Sequence, residues 1–230
     1  MQKIPMGMIT IFVASEEEKK KYLEVLGSVW TIVVGVPGLG SQRLFIRNFF
    51  PEETRILTLD DDIKSIKFLK EISLLELARR MFLITEKEKV STWGIYPVDN
   101  LYFCNDRVVK GNFYIVGCCY GFINKHDITE WSSTVGVKED CWYSLKRIVL
   151  DGAVIRYDGC CPHTTYYARG GLYDQRNTQI EQLQSHLIVD QFPTLATFKL
   201  KKNGHPEVKI RRKILKTLQF LSEPPTDETL

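Results

Sequence analysis

The chain has 230 residues, a formal charge of +3, 44% hydrophobic and 26% charged residues, which is ordinary for a globular protein with a substantial core. That mild charge is short of the strongly basic balance of a dedicated nucleic-acid binder, and no apolar run approaches the roughly 20 residues that span a bilayer. Six cysteines without C-x-x-C spacing fit reduced, buried thiols better than a disulfide framework or a zinc site, and the apolar run at the start is too short for a signal peptide. A cytoplasmic chain is expected.

Met8 to Ala14 is a continuous apolar run, the pattern of a strand covered on both faces. Ser15 and Glu18 then form a capping box, opening a helix with Tyr22, Leu23 and Leu26 inward. A second apolar run, Trp30 to Val36, ends in the turn Pro37-Gly38-Leu39-Gly40. Ser41 to Phe50 reads as a helix and Arg55 to Leu59 as a third strand. Alternating strands and helices predict an α/β fold with a mostly parallel central sheet. Further on, helices are expected over Ser73 to Phe82 and Glu139 to Leu150, the latter with Trp142, Leu145 and Val149 apolar. Strands are expected over Phe113 to Cys119 and around Val154 to Tyr157. No repeat or linker divides the chain, so one domain is expected over 1–230. Its marked charge run is the tail KLKKNGHPEVKIRRKILK, Lys199 to Lys216.

The third strand runs into Asp60, Asp61 and Asp62. Like charges repel there, and aspartate is a poor strand former, so the triplet is either a solvated acidic turn or is compensated by a cation. In open α/β sheets ligands bind beyond the carboxyl ends of strands. Alternate aspartates there suit a hard divalent ion carrying a nucleotide diphosphate. Upstream, Arg43 and Arg47 lie on the helix after the glycine turn, where they are either surface arginines or phosphate partners. Downstream, Glu139 and Asp140 open a helix, as ordinary capping acids or as an acid pair able to take a proton from a hydroxyl. Tyr96, before Pro97, is biased to extended geometry and suits a substrate-facing loop, whereas Trp93 fits the core or an aromatic face for a ligand.

Taken together, the blocks LTLDDDI (57–63), WGIYPVDN (93–100) and KEDCWYSLKRIVLDGAVIRYDGCCPHTTYYARGGL (138–172) resemble the GT-A fold glycosyltransferases found beside TET/JBP-type dioxygenases, a group that includes the base J glucosyltransferase and phage enzymes. The resemblance implies a Rossmann-like, UDP-sugar-dependent enzyme that glycosylates a 5-hydroxymethylpyrimidine in DNA, with glucose or a pentose such as arabinose as the sugar. It implies a donor-binding part over about 1–100, an acceptor and catalytic part over about 101–190 and a basic element over about 191–230. Mn2+ or Mg2+ would be held by Asp60, Asp62 and a late histidine, His163, which otherwise is structural or exposed. Arg43, Asp60, Asp61, Gly94, Tyr96 and Asn100 would contact the donor. Asp140 would be the base of an inverting transfer, with Glu139 beside it. The basic tail would neutralise DNA phosphates or simply be solvated. For a viral enzyme the compartment would be the host cytoplasm. The same chemistry on a protein or glycan hydroxyl, or a non-catalytic nucleotide-sugar module, are the alternatives.

Overall fold

A computed structural model describes residues 4–129, 133–164 and 178–220. Strand β1 (Thr10–Val13) leads into helix α1 (Glu16–Leu26) through the expected cap. Ser15 Oγ accepts from the Glu18 N–H at 3.2 Å, and Glu18 Oε2 accepts from the Ala14 N–H at 2.7 Å. Tyr22 and Leu23 are half-buried, but Leu26 is exposed, because α1 covers only the small parallel pair of β1 with β2 (Thr31–Val34). Helix α2 (Leu39–Phe49) follows Gly38, whose φ of 92° favours glycine.

Among the described residues the main sheet has six strands: β3 (Arg55–Leu59), β5 (Thr92–Ile95), β6 (Val108–Asn112), β7 (Cys119–Ile123), β8 (Val154–Tyr157) and β12 (Lys213–Leu218). Their order is β12-β6-β8-β5-β7-β3. Only the β5–β8 pairing is parallel, so the sheet is mixed and the expectation of a mostly parallel one is corrected. The physical reason is that a strand buried on both faces reads as an apolar run whichever way it points. β7 returns between β3 and β5, which leaves β3, β5 and β8 running the same way and ending at one edge. Strands on both sides of residue 100 share this sheet.

Helix α3 (Leu74–Lys87), capped by Ser73 Oγ on the Glu76 N–H, covers one face. There Trp93 is fully buried edge-on to Phe82, and a side chain on Gly121 would strike its indole, so Trp93 belongs to the core. Helices α4 (Glu139–Asp151) and α5 (Thr178–Gln191) cover the other face. In α4, Trp142 and Leu145 are buried as expected, whereas Val149 is exposed.

The expected strand over Phe113 to Cys119 is absent up to residue 118. Ser144 of α4 takes the place of a neighbouring strand: its Oγ accepts from the Ile115 N–H at 2.9 Å and lies 3.4 Å from the Ile115 carbonyl. This segment crosses the sheet under α4 and delivers Gly117 and Cys118 to the edge where β3 ends. A peripheral pair, β4 (Ile63–Phe68) with β9 (Cys160–Thr164), follows the aspartate triplet, and β10 (Ala196–Leu200) with β11 (Pro206–Ile210) forms an antiparallel ribbon. All six cysteines are free thiols. No helix among the described residues is long and apolar enough to cross a membrane.

Candidate functional site

Beyond β3 the chain is tied to the crossing segment, because the Asp60 N–H donates to the Cys118 carbonyl at 2.9 Å. Arg43 and Arg47 lie one turn apart on α2 and both point inward. Arg43 Nη2 donates to Asp60 Oδ1 at 2.7 Å and to the Gly117 carbonyl at 2.9 Å. Burial opposes its charge, but the acidic groups around it, with Asp60 in direct contact, outweigh that and keep it a cation. Arg47 is committed to the core, donating to the Tyr143 hydroxyl and lying 3.9 Å from the Phe122 ring.

The two acids that open α4 sit in different surroundings. Glu139 is buried, and its Oε1 is 3.8 Å from Arg43 Nε, too long for a hydrogen bond. Burial pushes its carboxyl up to about 8; Arg43 opposes this, while Asp140 and Asp60 add to it. Near neutral pH Glu139 is therefore mostly an uncharged acid. Asp140 instead collects donors. Its Oδ2 accepts from the Tyr114 hydroxyl and from the Gly117 N–H at 3.3 Å, and its Oδ1 accepts from the Cys141 N–H at 2.8 Å. Burial first, then Asp140 itself, holds the Tyr114 phenol well above its ordinary range, so Tyr114 remains a donor. Two adjacent carboxyls thus divide into an acid and an acceptor.

Gly117 was not singled out in the sequence, yet it is central. A Cβ there would lie 2.9 Å from Glu139 Oε1 and 3.0 Å from the Asp140 Cβ. The only sequence signal was a glycine interrupting an apolar run. Tyr114 gave no signal at all, since its partner is 26 positions away. Cys118, whose carbonyl accepts from the Asp60 N–H, joins them: burial first, then the charges of Asp60, Asp62 and Asp140, pushes its thiol up to about 12.

Other expected residues lie elsewhere. Asp61 turns to α1, where its Oδ2 accepts from the Tyr22 hydroxyl at 2.8 Å. Gly94 is buried beneath Ile115, whose Cγ2 fills the space of its absent Cβ, so the glycine serves packing. Tyr96 is half-buried at the end of β5, with its ring 5.0 Å from the Arg156 guanidinium. Asn100 caps the turn Leu101–Phe103, its Oδ1 accepting from the Tyr102 N–H at 2.9 Å. His163, on β9, has Nδ1 2.6 Å from Asp99 Oδ2, and Lys67 Nζ is 2.7 Å from Asp99 Oδ1. Lys67 first, and His163 with it, hold the Asp99 carboxyl below the usual carboxylate range. Gly170 and Gly171, near the end of the third block and expected to mark a tight turn or a close ligand approach, fall outside the described residues.

Among the described residues no three His, Cys, Asp or Glu side chains form a group that could hold a metal ion, and the partner of His163 is Asp99. The donor chemistry still fits one kind of ion. Magnesium and manganese favour hard oxygens, and magnesium usually needs only one or two carboxylates when phosphate oxygens and water complete the shell. The Asp60 oxygen not engaged by Arg43 offers one such ligand at the strand end, and Asp62 follows two residues on.

The chain matches no family model, and no curated protein matches it. A crystal structure of a mycobacterial protein aligns over 90% of this chain and 74% of its own, at 9% sequence identity and a TM-score of 0.46.

Proposed function

We propose that the chain is a metal-dependent, inverting glycosyltransferase of the GT-A type that moves a sugar from a UDP-sugar to the hydroxyl of a 5-hydroxymethylpyrimidine in DNA. One observation carries this most: Arg43 joins Asp60 at the end of β3 to Gly117 and reaches toward Glu139, so segments far apart in sequence converge on one sheet edge. Ligands of open α/β sheets bind at such an edge. The DNA acceptor and the identity of the donor rest on the sequence resemblance.

In this mechanism Asp62 and Asp60 would hold Mn2+ or Mg2+, which would supply charge neutralisation for the departing UDP. Asp140 takes the proton of the acceptor hydroxyl as its oxygen bonds to the anomeric carbon, while the bond from that carbon to the diphosphate oxygen breaks. Tyr114 and the Gly117 N–H hold the Asp140 carboxylate in place. Glu139, uncharged beside it, donates a hydrogen bond to donor or acceptor without competing for that proton. Tyr96 at the end of β5 offers an aromatic face to the sugar or to an unstacked base.

The direct test is titration calorimetry with UDP and UDP-sugars in the presence and absence of manganese, with Asp62→Ala as the comparison. Manganese-dependent binding that is lost in the variant is expected. Equal binding without the ion, or none by the native protein, overturns the reading.

A further inference from the structure

The basic tail is not one surface. Lys213 and Lys216 belong to β12, where Lys216 Nζ is 2.6 Å from Glu88 Oε1, and the Arg212 guanidinium lies 5.3 Å from the Phe113 ring. The remaining bases lie on the β10–β11 ribbon. Its period of two separates them cleanly. Ala196 and Ile210 are buried, Val208 packs on the core, and Phe198 stacks on His186 of α5 at 4.2 Å. The alternate positions, Thr197, Lys199, Glu207 and Lys209, form the opposite face, with Lys199 across from Glu207 and Lys209 across from Thr197. Lys199 and Lys209 are exposed, as are Arg211 just past the ribbon and Lys201 and Lys202 in its turn. Five bases stand against one acid, Glu207, which lies 3.5 Å from Lys201 in an exposed pair of little strength.

The ribbon is also tied to the candidate site. Lys138 Nζ donates to the Pro206 carbonyl at 3.1 Å, and the next residues in the chain are Glu139 and Asp140. One end of the ribbon is thereby fixed to the start of α4.

We propose that this outer face is a docking surface for the phosphate backbone of duplex DNA. It offers an excess of cations over its one acid, Glu207, and a hydroxyl, with no large apolar side chain, which complements a polyanion better than a protein surface. A two-stranded ribbon also has the width that the major groove admits. The proposal deepens the preceding reading by naming where the acceptor would be held, but its test does not depend on sugar transfer.

Binding of the full-length protein to a fluorescein-labelled, unmodified 20-base-pair duplex is measured by anisotropy across a salt series. Four phosphate contacts give a log–log salt slope of about −3.6, hence an affinity loss of about 150-fold between 50 and 200 mM salt. Lys199→Glu with Lys209→Glu is expected to weaken binding at least tenfold and to reduce the slope by about 2. A charge-matched control, Lys87→Glu with Lys213→Glu on α3 and β12, is expected to bind as the native protein does. Circular dichroism checks that each variant is folded, and Lys202→Gln with Arg211→Gln provides a milder second pair. Equal loss in ribbon and control variants, tighter binding to an RNA of the same sequence, or no binding by the native protein overturns the proposal. UDP-sugar binding, read in parallel, keeps the two claims apart. DNA binding that depends on the ribbon in a protein that binds no UDP-sugar would leave this surface standing and remove the transferase.

Discussion

Glu139→Gln tests the electrostatics of the site without presupposing any reaction. The amide keeps the shape of the side chain and removes its titration. In the native protein the carboxyl is raised from 4.5 to about 8, chiefly by burial. The unfolded chain therefore ionises Glu139 near pH 4.5, while the folded protein holds the proton until about pH 8. Ionisation favours the unfolded state throughout that window, so the native protein loses stability as pH rises through it, by on the order of 5 kcal/mol at about 1.36 kcal/mol per pKa unit. The loss is complete above pH 8 and absent below pH 4.5. Glu139→Gln escapes it. Urea denaturation of both proteins from pH 5 to 9 should show the variant gaining stability relative to the native protein with rising pH, then levelling off. Titrations of groups distant from Glu139 cancel in that difference. A difference that instead moves against the variant with rising pH would mean that Glu139 is ionised and paired with Arg43, refuting the assignment of Glu139 as the neutral acid.

Tyr114→Phe should lower kcat for sugar transfer about tenfold with KM little changed, because the Asp140 carboxylate loses the phenolic donor that orients it; an effect on KM alone would contradict a role through Asp140. Gly117→Ala should destabilise the fold by about 1–3 kcal/mol in urea titrations, since its Cβ has no room beside Glu139 and Asp140; an unchanged midpoint would show that this contact is loose. His163→Ala should leave the manganese concentration needed for UDP-sugar binding within about twofold of native, because His163 faces Asp99; a requirement raised more than tenfold would return the histidine to the metal.

Local chemistry was the legible part of this sequence. The Ser15–Glu18 box, β3 and β8 follow from side-chain types alone, and the structure has them where the residues put them. Strand direction was not legible, since β7 and β5 carry similar apolar runs in opposite senses. Nor was the crossing segment, whose backbone is satisfied by Ser144, a partner 29 positions away. The candidate site divides in the same way. Asp60, Glu139 and Asp140 announce themselves because unpaired acids at element ends need an explanation, and Arg43 does so by standing near a glycine turn. Their actual meeting point, Gly117, and the donor that holds Asp140, Tyr114, depend on which segments the tertiary fold brings together. Asp61 shows the converse: it shares the triplet's sequence signal but is taken by Tyr22 of α1. The basic tail likewise reads as one run and folds into two surfaces, because Arg211 and Arg212 bridge from β11 to β12.

The central claim meets its most direct test in nucleoside mass spectrometry. DNA containing 5-hydroxymethylcytosine or 5-hydroxymethyluracil is incubated with the protein, manganese and a panel of UDP-sugars, with Asp62→Ala and Asp140→Ala alongside. A hexose or pentose mass added to one of these nucleosides by the native protein, and by neither variant, is the predicted result. No adduct on either DNA, with no UDP released, would contradict the account.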